Sequence, residues 1–401
     1  MAATSCRSFL CAFRSRNELM TTFATRQASG RSQGFSLVEL LIAMTLGLVL
    51  ISGMIAVFQG NRQSTELNSA MANLQENARF AMDRMAVDIR SAGFQGCLDI
   101  GRGPAVVSAT NTPTTDFNDT AVIGYDVAGD GSWSPSRPAG FTGTVKPGTH
   151  VLSLMFGGQD TFLLKKSLQD TSGISSAAGD VVVDIRNDTN TRTLTGLGLD
   201  VGDLAIVSDC GAADIFAISS ITTADDSYTL GHAIDKNTTA SFSKAYGLSS
   251  LPEVRFMSFS ANLYYVADTG SDNEKGESIY ALYRQSYPYD DANNPPVELV
   301  QGVENLRVSF GVRKNSNDLQ YMDIDDTALD RSKIESVRVG MLMTSEQSIA
   351  QVEDGSSYML AGQAISAARP NANAVGENEH ARDHRFRLAF NTTVKVRNRR
   401  R

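Results

Sequence analysis

The chain has 401 residues, 20% of them charged and 42% hydrophobic, a balance that excludes both a disordered chain and a polytopic membrane protein. Its formal net charge of −8 argues against a general nucleic-acid binder, which needs a basic face. The average conceals an asymmetry: residues 1–34 hold five Arg and one Glu, a net of +4, while the remainder carries 31 basic and 43 acidic residues, a net of −12.

The first predicted element is a membrane-spanning helix. No residue from Leu40 to Asn61 is charged, and Leu40–Phe58 is the strongly apolar part. At about 1.5 Å per residue, such a run reaches roughly 28–33 Å, the thickness of a bilayer core. Arg7, Arg14, Arg16, Arg26 and Arg31 all precede it, so the positive-inside tendency puts residues 1–34 in the cytoplasm and the remainder outside. Only poor small-x-small cleavage sites follow the run, which leaves a simple signal anchor as the plain alternative. Glu39 breaks that reading, because an unpaired carboxylate at the start of a lipid-embedded run is costly. A cut after Gly34 frees an amine on Phe35, one helical turn from Glu39, to neutralise the carboxylate within the chain or on a neighbouring helix.

The string Gly34-Phe35-Ser36-Leu37-Val38-Glu39 resembles the class III signal of type IV pilins and related pseudopilins. It has Gly before the cut, Phe after it, Glu at the fifth mature position, a basic leader upstream and an apolar helix downstream. The resemblance implies that a prepilin peptidase removes residues 1–34 on the cytoplasmic side and N-methylates Phe35. It also implies that Glu39 pairs with a terminal amine during assembly. The leader is longer than the family's usual one; a start at Met20 gives a more typical leader and excludes residues 1–19, with Cys6 and Cys11.

No proline precedes Pro104, so the helix is expected to continue to about residue 93, transmembrane over about 40–60 and amphipathic beyond. Leu67, Met71, Leu74, Ala78, Met82, Met85 and Ile89 form one stripe, with Glu76–Arg79, Arg79–Asp83 and Arg84–Asp88 on the more polar side. Gly93 and Gly96 are the stop signals. A coiled-coil dimer is the bland alternative, but a stripe of Met and Ala suits packing under a sheet better than a zipper.

Residues 94–401 read as a β-rich body of short apolar runs separated by Gly, Ser, Thr, Asn and Asp. The clearest strand is Arg385–Val396, with Phe386, Leu388, Phe390, Val394 and Val396 on one face and Arg385, Arg387, Asn391, Thr393, Lys395 and Arg397 on the other. The amphipathic helix is its natural cover, which gives an α+β fold. Zones 126–148 and 268–278 look like loop-rich insertions.

A wider resemblance is to PilW-type minor pilins. It rests on Leu74–Arg79, Gly93–Cys97, Ser208-Asp209-Cys210, Ala281-Leu282-Tyr283-Arg284, Gly302–Leu306, Val337–Gly340 and Phe390–Asn398, in the family's order. The resemblance implies a type IV pilin-like fold, a long N-terminal helix packed on an antiparallel β-rich domain. It implies a non-catalytic, low-copy subunit that joins other minor pilins in a priming or tip complex. Its partners would be those pilins, the pilus assembly platform, the prepilin peptidase and inner-membrane lipid. The chain would be a single-pass inner-membrane protein with its body in the periplasm, open to incorporation in a surface pilus. Cys97 and Cys210 would then lie where disulfides persist, and a bridge would fasten the body to its stalk; two free buried thiols are the alternative.

Catalytic signals are sparse, and neither a cofactor nor a metal is expected. His380 and His384 have i,i+4 spacing, but Arg382, Asp383 and Arg385 around them suggest a solvated loop. Gly196-Leu197-Gly198 fails the dinucleotide spacing, and the acidic stretches Asp268–Glu277 and Asp323–Asp330 lack EF-hand alternation. The basic tail Lys395, Arg397, Arg399, Arg400 and Arg401 is a candidate electrostatic contact for an acidic partner, DNA or another pilin. A type II secretion pseudopilin and a tip subunit binding DNA or a surface are the competing functional readings.

Overall fold

The computed structural model describes residues 34–100, 103, 105–164, 180–184, 199–224, 227–246, 254–290, 294–314, 318–370 and 375–399. The expected leader, apart from Gly34, and Arg400 and Arg401 of the basic tail lie outside the described residues. The chain divides into two units, Met1–Gly60 and Asn61–Arg401.

One helix, α1 (Leu37–Ser91), begins in the first unit and ends in the second. Within the second unit it buries Leu74, Ala78, Ala81, Met85, Ala86, Asp88 and Ile89. Burial therefore starts at Leu74, whereas Leu67 is half-buried and Met71 exposed. Asp88 departs from the sequence expectation: it faces inward, accepting hydrogen bonds from Tyr264 Oη (2.6 Å) and Asn262 Nδ2 (2.8 Å), while Arg84 approaches it at 3.8 Å. The helix stops where Gly93 takes a φ of 76°, a left-handed conformation that glycine adopts without penalty, and its N–H donates to Met155 O.

The largest sheet has nine strands and is organised by Arg255–Asp272. One edge of that strand pairs antiparallel with Thr149–Leu163; the other pairs first with Leu204–Ser208 and then with Ser278–Ser286. A four-stranded antiparallel sheet orders Leu319–Met322, Val303–Arg313, Ile334–Thr344 and Arg387–Lys395. The Val303–Arg313 strand is buried along almost its whole length, as expected of a strand covered on both faces. Two three-stranded sheets, around Ser227–Leu230 and Gln363–Ala367, complete the described strands.

The main core joins the α1 stripe to both large sheets: Ala78, Met85 and Ile89 share it with Leu152, Val266, Val308, Val339 and Val394. A second core lies on the nine-stranded sheet and takes in Trp133, Phe141 and Val145, so the 126–148 zone is folded into the body. Zone 268–278 is the end of a hairpin between Arg255–Asp272 and Ser278–Ser286, with a tight turn in which Asn273 Oδ1 accepts from Lys275 and Glu277 N–H groups.

Gly302 links the two large sheets. Its φ is 80°, its N–H donates to Tyr280 O, its carbonyl accepts from Thr344 N–H, and an added Cβ would stand 2.7 Å from Thr344 O. Only glycine satisfies both the conformation and the approach.

Candidate functional site

Helix formation at the amino end follows from simple local chemistry. Ser36 Oγ accepts from Val38 N–H (3.3 Å), Ser36 O accepts from Leu40 N–H (3.0 Å), and Glu39 occupies the first turn, where a negative charge complements the helix dipole. Phe35 is 83% exposed, and Leu37 to Phe58 leave every large apolar side chain open. The apolar window has a mean hydropathy of 2.6 and none of it is buried. A soluble core helix would cover such a face; this one matches the demands of lipid. Gly47, Gly53 and Gly60 have no neighbour within 4 Å of an added Cβ, so packing within the chain does not require them.

At the far end of α1 the body is fastened covalently and by caps. Cys97 and Cys210 form a disulfide across a sequence separation of 113 residues. Gln95, fully buried two residues earlier, accepts from Ala105 N–H (2.8 Å) and donates to Gly103 O (2.5 Å). The C-terminal segment closes the same region. Asn398 Nδ2 lies 3.1–3.3 Å from the carbonyls of Arg90, Ser91 and Ala92, the orphan acceptors of the helix end.

The basic tail is thereby divided. Lys395 and Arg397 are exposed, but Arg399 is only 8% exposed and donates to the backbone carbonyls of Arg331 and Asn118. Burial pushes its guanidinium down to about 10 against the pull of Asp119, Asp330 and Asp116. Arg399 thus serves as a clasp and is not part of an open cationic surface. Asn398→Ala is expected to lower unfolding free energy by about 1–3 kcal/mol through unsatisfied helix-end carbonyls. Urea denaturation followed by the fluorescence of Trp133, the single tryptophan, measures it; an unchanged midpoint would remove the capping role.

The segment 380–385, expected as a solvated loop, and Arg387, expected on a strand's open face, are corrected by the structure: His380, Asp383, Arg385 and Arg387 are all buried. His380 places Nδ1 2.9 Å from Ala381 O and Nε2 2.9 Å from Ser356 O, and His384 Nδ1 stands 3.1 Å from Ala350 O. Arg387 binds Glu304 (Nε–Oε2, 2.6 Å) and Asp383 (Nη1–Oδ1, 2.7 Å), and Arg385 Nε holds Asp383 Oδ2 at 2.7 Å. Lys146 Nζ donates to Glu304 O (2.8 Å) above the ring of Tyr280. Burial alone would raise the Glu304 carboxyl, but Arg387, Lys146 and Arg385 outweigh it and hold it at about 2. Burial lowers Lys146 to about 8 despite Glu304 beside it.

Sequence reasoning did not anticipate this network. The signal present was Glu304 and Arg307 inside a strand otherwise apolar enough to be covered on both faces: charges there need partners.

The motif stations that carry the PilW resemblance meet one another in space. Cys97 joins Cys210, and Val337–Gly340 pairs with Asn391–Val394 on the adjacent strand, while Glu304 binds Arg387 and Asn398 reaches Arg90, two residues outside the stations. Compared with known families, residues 29–55 match the prokaryotic N-terminal methylation motif, and residues 263–398 match the type IV pilus-assembly protein W family. The second match includes the stations from Ala281 to Asn398; those at Leu74–Arg79, Gly93–Cys97 and Ser208–Cys210 lie outside it. No curated protein and no solved structure matches the chain. The methylation motif and the long exposed apolar helix mark a membrane anchor, and the α+β order of helix then β-rich domain is type IV pilin-like. An N-terminal methylation motif followed by a match to the type IV pilus-assembly protein W family over residues 263–398 makes the chain similar to pilins related to type IV pilus assembly.

Proposed function

We propose that this chain is a minor pilin, non-catalytic and low in copy number, that polymerises through its N-terminal helix into a priming or tip complex. Residues 1–34 are the cleaved leader, residues 35–93 the assembly helix and residues 94–401 a periplasmic body. The observation that carries the reading is the methylation motif over residues 29–55, which spans the Gly34–Phe35 junction and the Glu39 carboxylate one turn beyond it. The prepilin peptidase cuts and methylates at Phe35, and Glu39 accepts the amine of a neighbouring subunit, a pairing strong enough in lipid to set axial register. The other minor pilins and the assembly platform are its partners. A secretion pseudopilin shares this amino terminus; the PilW-family match over residues 263–398 supports the pilus reading.

Mass spectrometry of the mature terminus is expected to find methylated Phe35; any other terminus removes the basis of the proposal. Glu39→Ala is expected to leave cleavage intact while reducing piliation at least about tenfold, the scale of losing one buried charge pair. Normal piliation in that variant would refute the role given to Glu39.

A further inference from the structure

A cavity of about 330 Å³ opens in the Asn61–Arg401 unit, away from α1 and from the Glu304 network. Its floor is the buried trio Asp126, His150 and Arg307, and its rim carries the exposed carboxylates of Asp323, Asp325 and Glu377. Four carboxylates thus face one guanidinium. His150 adds no charge near neutrality, because burial and then the Arg307 cation push it well below its ordinary value.

The Nη2 donors of Arg307 are committed, while His150 spends its acceptor, Nδ1, on Val308 N–H (3.1 Å). Nη2 donates to Gly148 O (2.9 Å) and Glu377 O (2.7 Å), and Nη1 stands 2.7 Å from His150 Nε2. The Asp126 side chain is only 9% exposed, yet Oδ1 accepts no hydrogen bond; its nearest cationic or ring nitrogens are 3.5 Å (His150) and 3.7 Å (Arg307) away. Gln363 Oε1 in the same wall also lacks a donor, and Arg307 Nε lacks an acceptor. Buried carboxylates in folded proteins normally have their lone pairs met. Burial raises the Asp126 carboxyl to about 6, Arg307 opposing and Asp325, Glu377 and Asp323 reinforcing the rise, as expected of an anion short of compensation.

An occupant of this cavity must bring positive charge and N–H donors. A bare metal ion fits poorly: among the described residues no three His, Cys, Asp or Glu side chains converge on a metal position. One deep carboxylate below three exposed ones suits a single cationic head on a stem, with the rim drawing in the basic surface around it. We infer that the Asp126 cavity receives a lysine or arginine side chain presented by a protein partner. The site is independent of the minor-pilin reading and would serve a secretion pseudopilin equally.

The test is fluorescence anisotropy of a labelled tetralysine peptide with the full chain in detergent at low salt. Its fully acetylated counterpart is the control. The rim variant Asp325→Asn/Glu377→Gln is expected to weaken binding about three- to tenfold, and Asp126→Asn about tenfold or more. Asp272→Asn/Glu274→Gln makes the same charge change on the acidic hairpin outside the cavity and is expected to stay within about twofold. Equal losses in the rim and hairpin variants would overturn the proposal by showing unspecific attraction. So would equal binding of the acetylated peptide, or binding of Ca2+ or spermidine at the cavity with no peptide binding. If Asp126→Asn fails to fold, the exposed rim variant carries the decision alone.

Discussion

Glu304→Ala is expected to destabilise the body by about 3–5 kcal/mol, the range for removing one partner from a buried charge pair. The reason is geometric. Glu304 and Arg387 are almost fully buried, 2.6 Å apart, and Arg387 is shared with Asp383 (2.7 Å) and Asp354 (3.5 Å), so deleting the carboxylate takes the closest partner from a guanidinium with no route to water. The pair ties two strands of the four-stranded sheet across the intervening Ile334–Thr344, since Glu304 lies at the start of Val303–Arg313 and Arg387 at the start of Arg387–Lys395. Replacing both, as in Glu304→Leu/Arg387→Met, is expected to recover part of the loss, because it also removes the guanidinium that the single change strips of its closest partner.

Acid should act in the same direction. The folded carboxyl is held at about 2 against an ordinary value of 4.5, so its stabilising contribution is fully present above about pH 4.5 and disappears as pH falls toward 2. Urea midpoints from pH 7 to pH 2.5, read by Trp133 fluorescence, check both statements. A Glu304→Ala loss under about 1 kcal/mol would place this network among the surface pairs that contribute little.

Cutting the disulfide is the second large effect. Cys97→Ser or Cys210→Ser is expected to cost about 4–5 kcal/mol, because a cross-link spanning 113 residues removes much loop entropy from the unfolded chain. Position adds to length: Cys97 follows the end of α1 directly, and Cys210 follows the Leu204–Ser208 strand of the nine-stranded sheet. Reduction of the wild-type protein should reproduce the mutant midpoint, and the mutant itself should be indifferent to reductant. A reductant-sensitive mutant, or equal midpoints throughout, would show that the bridge is not what holds this junction. The disulfide and the Asn398 cap both act at the end of α1, so Asn398→Ala should be more damaging in the Cys97→Ser background.

The elements that were easy to anticipate share one property: their signal is local and periodic. The apolar run from Leu40, the stripe through Leu74, Ala78, Met85 and Ile89, and the alternating C-terminal strand, found at Arg387–Lys395, follow from residues a few positions apart. Helix spacing puts Asp88 on the polar side, whereas its partners, Asn262 and Tyr264, more than 170 positions away, draw it inward. Arg385 and Arg387 alternated with Phe386 and Leu388 as an outer face should, but the outer face of that strand's start is covered, and both arginines are buried. The same holds for Arg399, which composition assigns to a basic patch and the fold assigns to the carbonyls of Asn118 and Arg331.

The sequence by itself determined the order of the parts: an amino-terminal stretch of net charge +4, an uncharged span of bilayer length with Glu39 at its edge, an amphipathic continuation and an acidic β-rich body. Lipid, helix period and charge bias act within a few residues, so they are written in contiguous letters. Tertiary structure alone decided which charges are solvated and which are buried, how the 18-residue strand Arg255–Asp272 divides its edge between two partners, and where an acidic cavity opens. Those outcomes depend on pairings between residues tens to hundreds of positions apart, whose free energy exists only once the sheets have closed around them.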